Sequence, residues 1–346
     1  MFGFNPKVVS KLSPGECEKI IRLLSQAGLA FEEGADATAL VEDADDRIAA
    51  TASLFGGVIR MVAASLDYRE YGLSSVAISA LMEVARARGI SRLFIYTKPD
   101  MAERFMSMGF RNIASTESVV LMETGEPGIS AYGKYLGKMR RDGTGRNGVT
   151  GAIVANCNPF TLGHRYLIEK ASSVCGHLYV VIVEEDKSRF SFADRFGMAS
   201  AGTRDIENVV LLRSGPYAVS SATFPAYFLK GLGETNLALE QSRLDLDLFL
   251  RLFVPALGIN ARFAGTDPFC AVTKIYNGAM KEILPPSGVT YTEIERLKAP
   301  DGVAVSASSV RGMLDSGDIA GLEGCLPQST ISYLADKAEG VRFVDA

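Results

Sequence analysis

A short apolar run, Ala152-Ile153-Val154-Ala155, leads through two residues into Asn158-Pro159-Phe160-Thr161-Leu162-Gly163-His164 and on into Arg165-Tyr166-Leu167-Ile168-Glu169-Lys170-Ala171. The order is that of a strand, a tight loop, and a helix with Gly163 and His164 in its first turn. A helix start leaves N–H groups unpaired and carries the positive end of the helix dipole. It is therefore a natural seat for a phosphate. Gly163 has no Cβ, so a ligand can come close to the backbone there. His164 can add a hydrogen bond or a proton-dependent charge to the same phosphate. The chain has only two histidines, and that one of them falls here weighs against a histidine merely satisfied within a loop.

The rest of 149–346 alternates strand and helix, which predicts a parallel, doubly wound sheet. Leu178–Val183 is apolar throughout, as a strand buried on both faces should be. Ligands gather at the C-terminal ends of strands in such sheets. Lys187, Arg189 and Arg195 follow this strand and are candidates to neutralise phosphates. Pairing with Glu184, Glu185 or Asp194 is the alternative for one or two of them. A helix over 191–201, a strand at Val209–Leu212 and helices near 223–231 and 240–255 come next. The strand Ala261–Ala264 ends at Gly265-Thr266-Asp267, where Asp267 either meets a nucleotide or metal-bound water, or caps a helix. One more strand is expected over 289–296. In Val305-Ser306-Ala307-Ser308-Ser309-Val310-Arg311, hydroxyls at a helix start can cap free N–H groups and donate to phosphate oxygens. Arg311, about a turn in, has a fork suited to phosphate. An ordinary serine cap is the plainer alternative.

At 346 residues the chain is long for one core, and two domains are expected. The net charge of −4 argues against generic nucleic-acid binding. The cysteines Cys17, Cys157, Cys175, Cys270 and Cys325 are scattered, which suggests reduced thiols in the cytoplasm; Cys157 is expected to be packing. No apolar run approaches the roughly 18 residues of a membrane helix, and Met1–Pro14 lacks a signal-peptide core.

The N-terminal part opens with a helix start at Ser13-Pro14-Gly15-Glu16. Two strands hinged at Gly56-Gly57 follow over 47–66, then a helix through about Arg88. A strand at Leu93–Thr97, a helix over 99–108, Gly109-Phe110 and a strand at Val119–Met122 complete it. Residues 126–148 read as a glycine-rich linker with room for a short helix from Tyr132 to Arg141, carrying Lys134, Lys138, Arg140, Arg141 and Arg146. That run is either a solvated basic linker or a docking patch.

Four resemblances follow from these residues. Asn158, Pro159, Thr161, Gly163 and His164 resemble the T/H-x-G-H signature of the nucleotidyltransferase superfamily. Ala155 and Cys157 depart from it, and Thr161 stands where many members have a second histidine. Ser306 to Arg311 resembles the I-S-S-T-x-x-R signature of the same domain. The N-terminal order resembles a GNAT-type acetyltransferase, with Arg69, Gly72 and Ser74 at the loop that holds a coenzyme A pyrophosphate. The wording of Asn158–Ala171, Glu184–Arg195, Ala222–Lys230, Phe263–Cys270 and Glu293–Arg311, taken with that N-terminal part, resembles the citrate lyase ligase family.

The fold this implies is a GNAT-like α+β domain over 1–125, a basic linker over 126–148, and a Rossmann-like nucleotidyltransferase domain over 149–346. The implied activity is ATP-dependent acetylation of a thiol. Acetate attacks the α-phosphate of ATP, with Mg2+, to give acetyl-AMP and pyrophosphate. The thiol of a coenzyme-A-like group on the citrate lyase acyl carrier subunit then takes the acetyl group. His164, Thr161, Lys187 and Arg311 are the implied catalytic set. Asn158, Pro159, Phe160, Gly163, Arg195, Gly265, Asp267, Ser306, Ser308 and Ser309 are the implied nucleotide contacts. Arg69, Gly72 and Ser74 are implied for the carrier arm, and no protein metal ligand is expected. Two other readings stay open: an adenylyltransferase making a dinucleotide or dephospho-coenzyme A, and a non-catalytic nucleotide or acyl sensor.

Overall fold

The computed structural model describes residues 4, 6–141, 146–184, 188–219, 224, 227–229, 233–267, 270–299, 302, 304–316, 321, 322 and 324–342. The chain forms two compact units, Met1–Lys134 with Val219–Arg251, and Tyr135–Ala218 with Leu252–Ala346. This differs from the expected division at 125 and 149. The segment around 219–251 belongs with the N-terminal unit, and the short helix expected over Tyr132–Arg141 spans Ile129–Met139. The helix expected near 223–231 lies largely outside the described residues. Phe224, Tyr227, Phe228 and Leu229, which are described, are not helical.

The first unit carries β1 (Pro6–Val9), β2 (Ala37–Glu42), β3 (Ile48–Phe55), β4 (Val58–Ala64), β5 (Arg92–Thr97), β6 (Arg111–Ser115) and β7 (Val120–Gly125). They form one sheet in the order β1-β2-β3-β4-β5-β7-β6. Every pair is antiparallel except β4–β5, where Val58 faces Phe94 and Ile59 faces Ile95 in parallel register. A parallel pair needs a crossover, supplied by the 3-10 turn Leu66–Tyr71 and α2 (Leu73–Ala87). Helix α1 (Pro14–Gln26) starts in a capping box, with Ser13 accepting from the Glu16 N–H and the Glu16 carboxylate accepting from the Ser13 N–H at 2.8 Å. Leu73, Ala77, Ile78, Leu81 and Ala85 give α2 its apolar stripe, and Ala39, Ala50 and Ala52 share its core. Small side chains on the sheet let a helix pack close. Helix α3 (Ala102–Met106) is short, and α4 is Ile129–Met139.

The second unit is built on β8 (Thr150–Ala155), β9 (His177–Ile182), β10 (Val209–Arg213), β11 (Ala261–Gly265) and β12 (Thr290–Ile294). All pairs are parallel and the order is β10-β9-β8-β11-β12. Its helices are α5 (Leu162–Val174), α6 (Phe192–Thr203), α8 (Ala271–Ile283), α9 (Ala307–Ser316) and α10 (Gln328–Arg342); α7 (Glu234–Leu257) precedes β11. The expected fold class holds: an α+β unit and a parallel Rossmann-like one. The strand order reverses between β8 and β11, and ligands of open α/β sheets bind outside the carboxyl ends of strands at that point. Among the described residues no helix is long and apolar enough to cross a membrane.

Candidate active site

The loop leaving β8 is held in an unusual path. Cys157 has φ +50° and the Asn158–Pro159 bond is cis. The Cys157 thiol is buried, and burial pushes its pKa up to about 12. It stays protonated and packs, as expected from the sequence. Thr161 then caps α5, its hydroxyl accepting from the His164 N–H at 3.3 Å. His164 Nδ1 in turn accepts from the Thr161 N–H at 3.1 Å and lies 2.9 Å from the Thr161 hydroxyl. A backbone N–H can only donate, so Nδ1 carries no proton and the neutral ring holds its hydrogen on Nε2. The ring keeps some exposure toward the pocket, yet it stacks on the fully buried Phe160 at 5.9 Å and 20°. Burial, with the charge of Arg296 adding in the same direction, pushes its pKa down to about 4. His164 is thus a neutral hydrogen-bond donor at any ordinary pH.

The second motif packs against the first. A Cβ on Gly163 would lie 3.1 Å from the Val305 carbonyl oxygen, so a side chain here would press the two segments apart by a few tenths of an ångström. The Ser306 hydroxyl accepts from the Ser309 N–H at 3.0 Å and caps α9. It also lies 2.8 Å from the Ser309 hydroxyl. Arg311 donates to the Asn158 carbonyl at 2.6 Å and to the Ser308 hydroxyl at 3.0 Å. The Asn158 side chain accepts from the Phe190 N–H at 3.3 Å. The C-terminal segment braces the loop too: the Leu162 N–H donates to the Cys325 carbonyl at 2.8 Å, and the Thr330 hydroxyl to the Phe160 carbonyl at 3.0 Å.

At the ends of β11 and β12, Asp267 accepts from the Cys270 N–H at 3.0 Å, just ahead of α8, and is ion-paired with Arg296. Gly265 accepts from the Asn277 amide at 3.0 Å. A cavity of about 760 Å3 opens here. Its lining brings together Asn158, Thr161, Gly163, His164, Gly265, Asp267, Ser306, Ser308, Ser309 and Arg311 from the expected set. Pro159 and Phe160 shape the loop instead of lining the cavity, Phe160 as a fully buried ring.

Arg195 is placed otherwise than the sequence suggested. It is 0% exposed and donates to the carbonyls of Phe190, Asn156 and Val183 at 3.2, 2.8 and 2.7 Å. It ties the β8 and β9 loops together and does not line the cavity. Arg189 pairs with Asp315, and Glu184 with Arg213. Lys187 lies outside the described residues. Sequence reasoning missed Arg296 and the buried Arg262, both in the cavity wall. The strand-end rule applied to β9 and β11 reaches Arg296 when applied to β12.

In the first unit, Gly72 sits at φ +64° between the 3-10 turn and α2, whose N-terminus has no side-chain cap. Ser74 lies in the first turn of α2, and Arg69 is on the 3-10 turn, its side chain outside the description. Lys134 and Lys138 are on α4, the Arg141 N–H donates to the Tyr179 hydroxyl at 2.8 Å, and the Arg140 guanidinium packs over Gly258.

A glycine-bearing helix start, a neutral imidazole donor and a guanidinium meet at the topological switch point of a parallel sheet, where open α/β sheets take their ligands. The chain belongs to the citrate lyase ligase family. The family model described as the citrate lyase ligase C-terminal domain matches residues 150–334. The citrate (pro-3S)-lyase ligase of Escherichia coli strain K12 is 37% identical over 306 residues, covering 86% of this chain and 84% of the relative. That of Klebsiella pneumoniae is 36% identical over 327 residues, 93% of each. Among solved structures, Escherichia coli ElaA matches with a TM-score of 0.32 and 15% identity over 35% of this chain and 99% of its own. A putative N-acetyltransferase from Lactobacillus plantarum matches with a TM-score of 0.31 and 20% identity over 35% of this chain and 97% of its own.

Proposed function

We propose that this chain activates acetate with ATP and passes the acetyl group to the thiol of the coenzyme-A-like group on the citrate lyase acyl carrier subunit. The observation that carries this reading is the donor set at the β8–β11 switch point in a chain of this family. An acetate oxygen attacks the α-phosphorus, and the bond from that phosphorus to the departing pyrophosphate breaks. The carrier sulfur then attacks the acetyl carbonyl carbon, the bond to AMP breaks, and AMP leaves with its electron pair while the thiol proton goes to solvent. His164 Nε2–H and the first N–H groups of α5 would meet the α-phosphate, where charge builds up in the transition state. Fixed donors aimed there lower the barrier. Arg311 and Ser308 would hold the β- and γ-phosphates, with Lys187 a further candidate.

The donors fit phosphate oxygens. Among the described residues no group of acidic, histidine or cysteine side chains is arranged to hold a metal. Mg2+ would be carried mainly by the phosphates and water, as is usual for this ion. Arg69, Gly72 and Ser74 would receive the carrier arm, and Lys134, Lys138, Arg140, Arg141 and Arg146 would attract an acidic carrier. The five cysteines are free thiols, which fits work in the cytoplasm.

Incubation with ATP, Mg2+ and a panel of acids, with pyrophosphate followed, tests the reading. Release that depends on acetate is expected. Release that depends instead on phosphopantetheine would mark an adenylyltransferase, and ATP binding with no release would mark a sensor.

A further inference from the structure

Arg296 stands just past β12, which ends at Ile294. Its Nε–H donates to the Thr266 carbonyl at 2.6 Å, its backbone N–H donates to the Thr266 hydroxyl at 3.2 Å, and an Nη2–H donates to Asp267. Asp267 is 9% exposed and Arg296 26%. One edge of the guanidinium is thus fastened to the end of β11. Its Nη1 has no partner among the described residues, and the side chain lines the cavity. A guanidinium keeps five donors in a planar fork, so fixing two N–H groups orients the others in advance.

Arg311, the other guanidinium at the motif, turns toward Asn158 and Ser308. The charge that His164 feels is that of Arg296. Arg296 is therefore the cation electrostatically close to the imidazole that addresses the reacting phosphate. Its pairing with Asp267 offsets part of that charge. That suits a singly charged ligand better than a polyphosphate. A carboxylate brought beside a phosphate must be screened from it, and a preset fork achieves both screening and orientation.

We propose that Arg296 binds the small carboxylate substrate, gripping it through the free edge of the guanidinium and presenting an oxygen to the α-phosphorus. This rests on the activity proposed above. The test has a binding arm and a turnover arm, run on wild type, Arg296→Lys and Arg296→Gln, each checked for cooperative unfolding. In the binding arm, acetate is observed by saturation-transfer NMR on protein loaded with a non-hydrolysable ATP analogue. In the turnover arm, acetate-dependent pyrophosphate release is measured at saturating ATP, and ATP dependence at saturating acetate.

The expected result is an acetate KM raised about tenfold or more in Arg296→Gln, as for loss of a charge-assisted hydrogen bond. Arg296→Lys should fall between, and ATP analogue affinity should stay within about twofold. Loss of analogue affinity with an unchanged acetate KM overturns the proposal and makes Arg296 a phosphate ligand. Acetate signal that is equal in all three proteins also overturns it. Acetate bound by wild type and lost in Arg296→Gln, with no pyrophosphate released by either, keeps the carboxylate site and rejects the proposed activity.

Discussion

At the scale of single residues, the two informative side chains are His164 and Arg195, and they act in opposite ways. His164 is a neutral donor whose tautomer is set by the Thr161 N–H. Replacing it with alanine should cut acetate-dependent pyrophosphate release by about 10²–10³ with the fold retained. Near-normal release by the folded variant would remove it from the mechanism. Its pKa also predicts a stability effect. An unfolded histidine titrates near 6.5, and His164 in the folded chain titrates at about 4. Between those values the unfolded chain binds more protons, so the stability His164 confers is complete above about pH 6.5 and is lost as pH falls toward about 4. Melting temperatures measured across that window should fall more steeply for wild type than for His164→Asn; parallel curves would contradict the assignment. Arg195→Met should orphan the carbonyls of Phe190, Asn156 and Val183. At about 1–3 kcal/mol for each buried carbonyl left unpaired, the urea midpoint should drop sharply. An unchanged midpoint with ATP affinity lost would instead make Arg195 a phosphate ligand.

At the scale of elements, the site depends on how closely helices approach the β8 loop. A Cβ on Gly202 in α6 would meet the Phe160 ring at 2.3 and 2.7 Å. Phe160 is fully buried and has nowhere to go. Gly202→Ala is expected to destabilise by about 1–3 kcal/mol, the range for overpacking, and to weaken ATP binding by shifting the loop. Calorimetric binding of an ATP analogue, with thermal unfolding on the same sample, checks both, and wild-type values for both would mean the loop is not held by this contact. The β8–α5 junction was legible in the sequence because its strand, cap, glycine and histidine are local. Serines at a helix start were legible for the same reason. The edge strands β1 and β6, the neighbouring β2 and helix α8 were not. Asn112 and Ser115 break any clean apolar alternation in β6, and β1 is four residues long. Arg195 was misjudged because charge alone does not say whether a guanidinium faces a ligand or a set of backbone carbonyls.

At the scale of the whole molecule, the sequence suggested two domains in succession, while the chain returns to its first unit after building part of the second. Phe224 packs edge-on to Tyr96 at 5.7 Å, and the Ala30 N–H donates to the Tyr227 carbonyl at 2.8 Å. Asp247 accepts from the Ser115 N–H at 2.7 Å and Glu240 from the Thr116 hydroxyl at 2.8 Å, so α7 is tied to the end of the edge strand β6. Open strand edges and exposed apolar cores favour aggregation. A fragment of residues 1–134 should therefore fail to unfold cooperatively, and adding 219–251 through a flexible linker should restore a transition. A cooperative transition in the short fragment would contradict this. No local signal announces such a return, because the contacts join residues more than a hundred positions apart. The central claim is that a carboxylate oxygen attacks the α-phosphorus at the His164 site, and isotope tracing tests it most directly. With both acetate oxygens labelled as 18O and the acyl carrier supplied, one label should appear in the AMP released, since the C–O bond breaks when the thiol attacks. Label in inorganic phosphate, with ADP as the nucleotide product, would place the attack on the γ-phosphorus and contradict the account.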